Sequence, residues 1–407
     1  MIQRMKVCVM TSWIATGLAV LALLGPSAAL AQDGFRLTSP LDATIGRDYG
    51  FLAHDRKLTD TILIIRPPQL SFTNRSPRAG FTARYQPEIE LFDNNRDLNA
   101  LNHSATASFT FRITERWQFN ATNEALVTED PTRTIAGSLI FLPRRSFKQN
   151  MAHAGFKYSL TARNAVRFSF DNVAASAPLN TVAFPGTGRV RSAGTVSLEH
   201  AFGRKQTVTA TYSLLNANAQ FAGVAYESEL AHDFTVHLST GLLKDGGSNY
   251  LLSGHAEKRL GPVWVNGGYH RFLSIFGTSI QGGVPIGNDL GLPVGVSRTN
   301  VYQVFSAGVS GKLSSRAGVE LRAAATKNNS GTANRDINNV SGRFKLDYGL
   351  TERLKIYTDV QFYSQTYNVF VDAPIDRRRY IAGIQFDISP NPNRVSSVPE
   401  QTKPTQR

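Results

Sequence analysis

The chain has 407 residues, 44 Lys and Arg against 30 Asp and Glu, a formal net charge of +14 and a mean hydropathy of −0.20. Its single cysteine is Cys8, so the chain beyond it can form no disulfide and no cysteine-ligated metal site. A basic balance would suit nucleic acid, but no nucleic-acid-binding module is present, and no stretch after residue 31 is apolar enough over sufficient length to span a membrane as a helix.

Arg4 and Lys6 precede the apolar run Trp13–Leu24, and Ala29-Leu30-Ala31 supplies small residues before Gln32. This three-part layout predicts a cleaved secretory signal peptide over residues 1–31, and hence an exported protein. Residues 32–78 are charged and irregular up to the apolar run Ile62–Ile65, which Pro67-Pro68 stops. They read as a separate N-terminal piece, either a periplasmic extension or a plug.

From Gly80 apolar and polar residues alternate, beginning with Phe81, Ala83, Tyr85, Ile89 and Leu91. The clearest unit is Ala105–Val127. Phe109, Phe111 and Ile113 alternate with Ser108, Thr110 and Arg112; the chain then reverses at Thr114-Glu115-Arg116, and Trp117, Phe119 and Ala121 resume the pattern. Side chains of a strand point alternately to its two faces, so this is a hairpin with one apolar and one polar face. Similar hairpins follow at 152–170, 191–214, 222–242, 250–269, 301–325 and 344–362, and a last strand is expected over Tyr380–Ile388. Their reversals are short and usually hold a base: ITER at Ile113–Arg116 returns as LTER at Leu350–Arg353. The intervening connections, such as 128–150 and 274–299, are longer and rich in Gly, Pro and Asn. Ile135–Leu142 is strand-like but reads as part of its loop.

Short turns on one rim and long loops on the other predict an all-β, transmembrane, antiparallel up-and-down β-barrel of about 16 strands, with periplasmic short turns. The barrel is expected over residues 79–388, followed by a Pro-rich tail at 389–407. Apolar residues need face lipid only at every second position, which reconciles a negative hydropathy with a membrane location.

Parity places one set of charged residues on the interior face: Arg84, Glu88, Arg112, Glu124, Lys157, Arg167, Glu227, Glu229, Glu320, Arg322, Arg343, Lys345, Lys355 and Asp359. Neither sign dominates, and the surplus of bases is expected on turns, loops and termini, as at Arg144-Arg145, Lys148 and Arg377-Arg378-Arg379. Such a face can line a water-filled channel, or it can close the lumen with salt bridges. His153, His237 and His255 share it without metal-ligand spacing, and no motif suggests a catalyst, a metal or a cofactor. The loop Ser274–Thr299 carries only Asp289 and Arg298 as charges and nine aliphatic or aromatic residues larger than alanine. It is expected to fold inward and narrow the lumen, or to pack over the rim.

Over about residues 79–388 the chain resembles the porin-like outer-membrane β-barrels of Gram-negative bacteria. Gly80–Phe92 with the repeated LTER-type turns is similar to barrels associated with exopolysaccharide export. The resemblance implies an outer-membrane channel for passive diffusion of small hydrophilic solutes. It also implies an alternative, a partner-dependent conduit or scaffold for polysaccharide export or surface binding. Outer-membrane lipid and lipopolysaccharide are the partners that go with either, and nucleic acid is not. Barrels of this kind often end on an aromatic residue; here residues 387–407 follow the last one, Phe386.

Overall fold

The structure is a computed structural model. It describes residues 34–387 except 39, 54–55, 131–143, 145, 177–189, 204, 216–218, 232, 245–247, 276–277, 282–283, 286–300, 330–336 and 369–372. The expected signal peptide, the tail 389–407 and the strand-like stretch Ile135–Leu142 thus lie outside the described residues.

The strands run in chain order as β1 (Phe35–Leu37), β2 (Leu41–Ala53), β3 (Arg56–Arg66), β4 (Leu70–Arg75), β5 (Ala79–Phe92), β6 (Ala100–Arg112), β7 (Trp117–Thr128), β8 (Phe147–Ser159), β9 (Asn164–Ser176) and β10 (Val190–Ala201). They continue as β11 (Gln206–Leu215), β12 (Ala219–Ala231), β13 (Phe234–Lys244), β14 (Ser248–Leu260), β15 (Val263–Ile275), the short β16 (Thr278–Gln281) and β17 (Val284–Pro285), β18 (Val301–Lys312), β19 (Ala317–Asn329), β20 (Ile337–Gly349), β21 (Leu354–Asn368) and β22 (Ala373–Phe386). β2 pairs β3, each strand from β4 to β16 and from β18 to β21 pairs antiparallel with the next, β1 pairs β4, β3 pairs β5, β15 pairs β18 across the long loop, and β2 pairs β22 to close the wall. All seven hairpins expected from the sequence form.

The barrel has 18 strands rather than about 16. The extra two come from residues 35–75, which sequence reasoning had set apart as an extension or plug. β1 and β2 form one wall strand interrupted at Pro40, and β3 and β4 form the next, interrupted at Pro67-Pro68. Proline lacks the N–H a ladder needs, so a strand broken by it still belongs to the sheet on either side of the break. Pro87 of β5 falls opposite that gap, between the residues paired with β3 and those paired with β4.

Four of the seven hairpin turns share one device. In Thr114-Glu115-Arg116 the Thr114 hydroxyl oxygen accepts hydrogen bonds from the backbone N–H groups of Arg116 and Trp117, at 3.2 and 3.1 Å. Thr161, Ser314 and Thr351 do the same for the two N–H groups that follow them by two and three residues. A Ser or Thr side chain can close a turn in this way where the backbone alone leaves donors unpaired. Ser76-Pro77-Arg78, between β4 and β5, has the related bond from the Ala79 N–H to the Ser76 hydroxyl at 3.0 Å. The Ser-x-Arg string there was the signal for the missed strand pair.

Register follows the alternation. Large apolar residues such as Ile45, Phe111, Phe168, Leu238, Phe305 and Ile384 face outward and are exposed. The opposite face carries the polar positions. Phe109 lies opposite Phe81 and Ala121 on the outer face, and Thr110 opposite Gly80 and Asn120 on the inner one. Phe109→Arg is therefore expected to cost about 2–4 kcal/mol if placed near the midplane of a bilayer. Thr110→Arg, one position along, should be tolerated. Unfolding titrations in lipid vesicles check the order of the two; a reversed order means that the faces are exchanged.

Candidate functional site

Cross-strand pairing carries the expected interior residues around the wall on one continuous face. Glu88 lies opposite Asn102, Glu124 opposite Thr106, Arg112 opposite Gln118 and Arg84 opposite Thr106. Lys157 faces Arg167, and Glu227 faces His237. Glu320 faces Lys345, Arg322 faces Arg343, Lys345 faces Asp359, and Lys355 lies opposite Gln385. Glu229 joins them two residues beyond Glu227 on the same face and takes an ion pair from Lys205 at 2.9 Å.

Several of these charges meet. Glu199 accepts from Arg167 at 2.7 Å and from Lys157 at 3.3 Å. Arg343 lies 2.8 Å from Asp359 and 3.6 Å from Glu320, which also holds Arg322 at 2.7 Å. His153 pairs with Asp171 at 2.7 Å. Arg66 joins Glu88 and, at 3.1 Å, Asp42, whose carboxylate also accepts the Tyr357 hydroxyl at 2.8 Å. The ion pairs run along the wall, within one strand at Glu320–Arg322, between neighbouring strands at Arg343–Asp359 and across two at Lys157–Glu199, and they leave several of the charged side chains largely exposed. Within the closed wall Glu227 is 64 % exposed, Arg322 59 % and Arg167 52 %.

One sector differs. At the long-loop end of β2, β3, β5 and β22 seven charges are packed out of solvent: Asp48, Asp60, Glu90, Asp130, Arg144, Arg377 and Arg379. Arg377 grips both oxygens of Asp48, at 2.8 and 2.5 Å, and reaches Asp130 at 3.3 Å. Arg379 lies 3.6 Å from Asp48. Arg144 pairs with Glu90 at 2.5 Å and Asp130 at 3.4 Å, with its guanidinium 4.5 Å from the Phe92 ring centre. The three bases meet Asp48, Glu90 and Asp130, and the fourth acid, Asp60 opposite Asp48, is held by the amides of Asn94 and Asn95; pairing and hydrogen bonding are the conditions under which buried charges persist. Burial alone would raise the Asp130 carboxyl; the guanidiniums of Arg377 and Arg144 outweigh it and hold Asp130 below the ordinary carboxylate range.

Local sequence explains the packing beneath. Gly50 takes φ +73°, a left-handed conformation, and the register shifts between Tyr49 and Phe51. A bulge there turns consecutive residues, so Phe51, Leu52 and Ala53 are all buried, against Ile62, Ile64, Phe92 and Ile375. Asp60 accepts four hydrogen bonds from the backbone and side-chain amides of Asn94 and Asn95, which pins the β5–β6 connection over this core.

Asp130 and Arg144 stand near the two ends of the β7–β8 connection. Arg144 makes a bridge to Ala53, its N–H donating to the Leu52 carbonyl at 2.7 Å, and Asp130 is held by the Thr128 hydroxyl. Both ends of this loop are therefore fastened to the inner side of the wall. Sequence reasoning had put Arg144 and Arg377-Arg378-Arg379 among solvated rim bases. The last strand instead begins at Ala373, and its alternation sends Arg377 and Arg379 inward and Arg378 outward. Extending the parity upward from Tyr380 was the available signal. Lys148, likewise expected on a loop, lies in β8.

A second interior sector is apolar. Leu215, Phe221, Leu243 and Leu251 project inward from β11–β14 and are buried, with Phe221 lying over Gly223 and Gly241. β16, the described part of the loop expected to fold inward, pairs back on β15 and lies beside β13 and β14. Most of that loop is outside the described residues.

No protein-family model and no curated protein matches the sequence. Among solved structures, Pseudomonas aeruginosa OccK2 (OpdF) is similar with a TM-score of 0.51 at 12 % identity, over 86 % of this chain and 98 % of that one. OccK2 in complex with glucuronate gives 0.50 at 13 % identity over the same shares. The outer membrane protein OpdK of the same organism gives 0.48 at 12 %, over 87 % and 100 %. At such identity the likeness is one of fold, and the chain is a closed antiparallel β-barrel of the porin-like kind.

Proposed function

We propose that the protein is an outer-membrane channel for passive diffusion of small hydrophilic solutes, lined by Arg84, Arg112, Glu124, Lys157, Arg167, Glu227, Arg322 and the neighbouring charges of the inner face. The observation that carries the reading is the exposure of Glu227, Arg322 and Arg167 inside a closed wall. A lumen stitched shut would bury them, as the sector around Arg377 is buried. The N-terminal residues supply wall strands, which removes the most obvious plug. The fold shared with OccK2, whose crystal structure holds glucuronate, supports small polar solutes as cargo.

Among the described residues, Asp130 and Arg144 at the ends of the β7–β8 connection and β16 beside β13 and β14 are the parts of long connections placed to narrow such a passage. The reading assigns the lumen to transport and no chemistry to it. The alternative of a polysaccharide conduit or scaffold has no observation of its own among the described residues.

Single-channel recording in planar bilayers tests the proposal. The purified, heat-modifiable barrel should give discrete, ohmic conductance steps, and silence from folded protein would overturn the reading. Replacing Gly277–Gly295 by a short Gly-Ser linker should raise the step size while leaving the barrel inserted. An unchanged step in a folded variant would remove that loop from the constriction.

A further inference from the structure

The outer face should be apolar wherever it meets hydrocarbon, and along most of the wall it is. The exceptions are not scattered. Cross-strand register turns Arg47, Lys148, Lys244, Arg271, Lys327 and Arg378 outward; Arg47 is the middle residue of β2, and the other five lie in the half of their strands nearest the long loops. Among described strand residues, Lys258 is the outward base near the short turns, and Asp376 is the outward acid. The other bases come from β2, β8, β13, β15, β19 and β22, so they encircle the barrel instead of forming one patch. A protein partner would need a patch; a belt of one sign fits a leaflet that surrounds the barrel.

The belt is densest at the closing seam. Arg47 lies opposite Tyr380, and Tyr49 opposite Arg378, so two arginines and two tyrosines alternate across adjacent strands. The tyrosine rings meet edge-to-face at 6.0 Å, and the Arg47 guanidinium sits 5.6 Å from the Tyr49 ring, with a bond to the Thr61 hydroxyl at 3.3 Å. Outward tyrosines mark the level of the headgroups, where a charge costs little. A guanidinium there presents a planar fork that matches a phosphate. Neighbouring bases and acids do not cancel the pair: the Lys57 ammonium is turned to the Pro374 carbonyl at 2.7 Å, and Asp376 lies two residues farther toward the loops than Arg378.

We infer that the outer face of the β2–β22 seam, through Arg47 and Arg378, binds the phosphate groups of a phosphorylated lipid in the leaflet at the long-loop side. The inference rests on the reading of the barrel as an outer-membrane channel with its long loops outward.

The test compares wild type with R47Q/R378Q, both purified in mild detergent and offered lipopolysaccharide carrying phosphorylated lipid A. Retained lipid is counted by native mass spectrometry. The double variant should lose retention by an order of magnitude or more, since each base near an anionic surface contributes about 1 kcal/mol. Dephosphorylated lipid A should be lost by wild type to a similar extent, and K258Q should retain as wild type does. Equal retention by R47Q/R378Q, equal binding of the dephosphorylated lipid, or displacement by inorganic phosphate at matched concentration would each overturn the assignment. Conductance of R47Q/R378Q should equal that of wild type, because both side chains point away from the lumen. A silent wild-type barrel that still retained lipid would sink the channel reading alone.

Discussion

Arg377→Met is expected to destabilise the barrel by about 3–5 kcal/mol, the cost of leaving buried carboxylates without their counter-charge. Arg377 is 2 % exposed and is the one base that reaches both Asp48 and Asp130. Methionine fills similar space but cannot neutralise either acid. The companion variant Asp48→Asn/Arg377→Met removes one acid with the base and should recover a large part of the loss. Urea titrations of the refolded protein in vesicles measure both. A single variant that unfolds at the wild-type midpoint would show that the sector is solvated.

Asp130→Asn should release the β7–β8 connection while leaving the wall standing, since Asp130 is a loop residue and Asp48 still pairs with Arg377. The loss of charge takes from Arg144 and from Arg377 one of their two carboxylate partners, and the loosening falls on the loop ends. Single-channel recordings should show a larger step with more open-channel noise. Acid should produce the same state in wild type. Because Asp130 is held below the ordinary carboxylate range, its folded pKa lies below its unfolded one. Its contribution is then complete above the unfolded value of about 3.9 and is lost as pH falls through the folded value. Conductance should therefore be steady from neutral pH down to about pH 5 and change only under stronger acid, whereas Asp130→Asn should be altered throughout. A wild-type transition near neutrality would assign the anchoring to some other group, such as a histidine.

The two outcomes are separable because they act on different parts of one network. Arg377 and Asp48 join the first and last wall strands, so their loss weakens the closure itself. Asp130 and Arg144 join a loop to that closure. Where a barrel ends, its first and last strands must find each other over the whole chain length, and a bidentate ion pair across that seam specifies the partner as well as the register.

What the sequence determined was everything that depends on near neighbours along the chain. Alternation at Phe109, Phe111 and Phe119 sets which residues of each hairpin face lipid, and Thr114, Thr161, Ser314 and Thr351 each close the turn they open with their own hydroxyl. Fold class, hairpin pairing, rim asymmetry and the inner placement of Glu227 or Arg343 follow from such local rules. The tertiary structure alone decided matters that join distant residues. Leu41–Ala53 carries too weak an alternation to declare itself a strand, with Gly46, Gly50 and Asp48 along it; it becomes wall because β22 and β3 offer it edges on both sides. Arg377 and Arg144 read as rim bases because nothing near them in sequence balances their charge. Their partners Asp48 and Glu90 stand 329 and 54 residues away, and only closure of the barrel brings a carboxylate near enough to outweigh the cost of taking a guanidinium out of water.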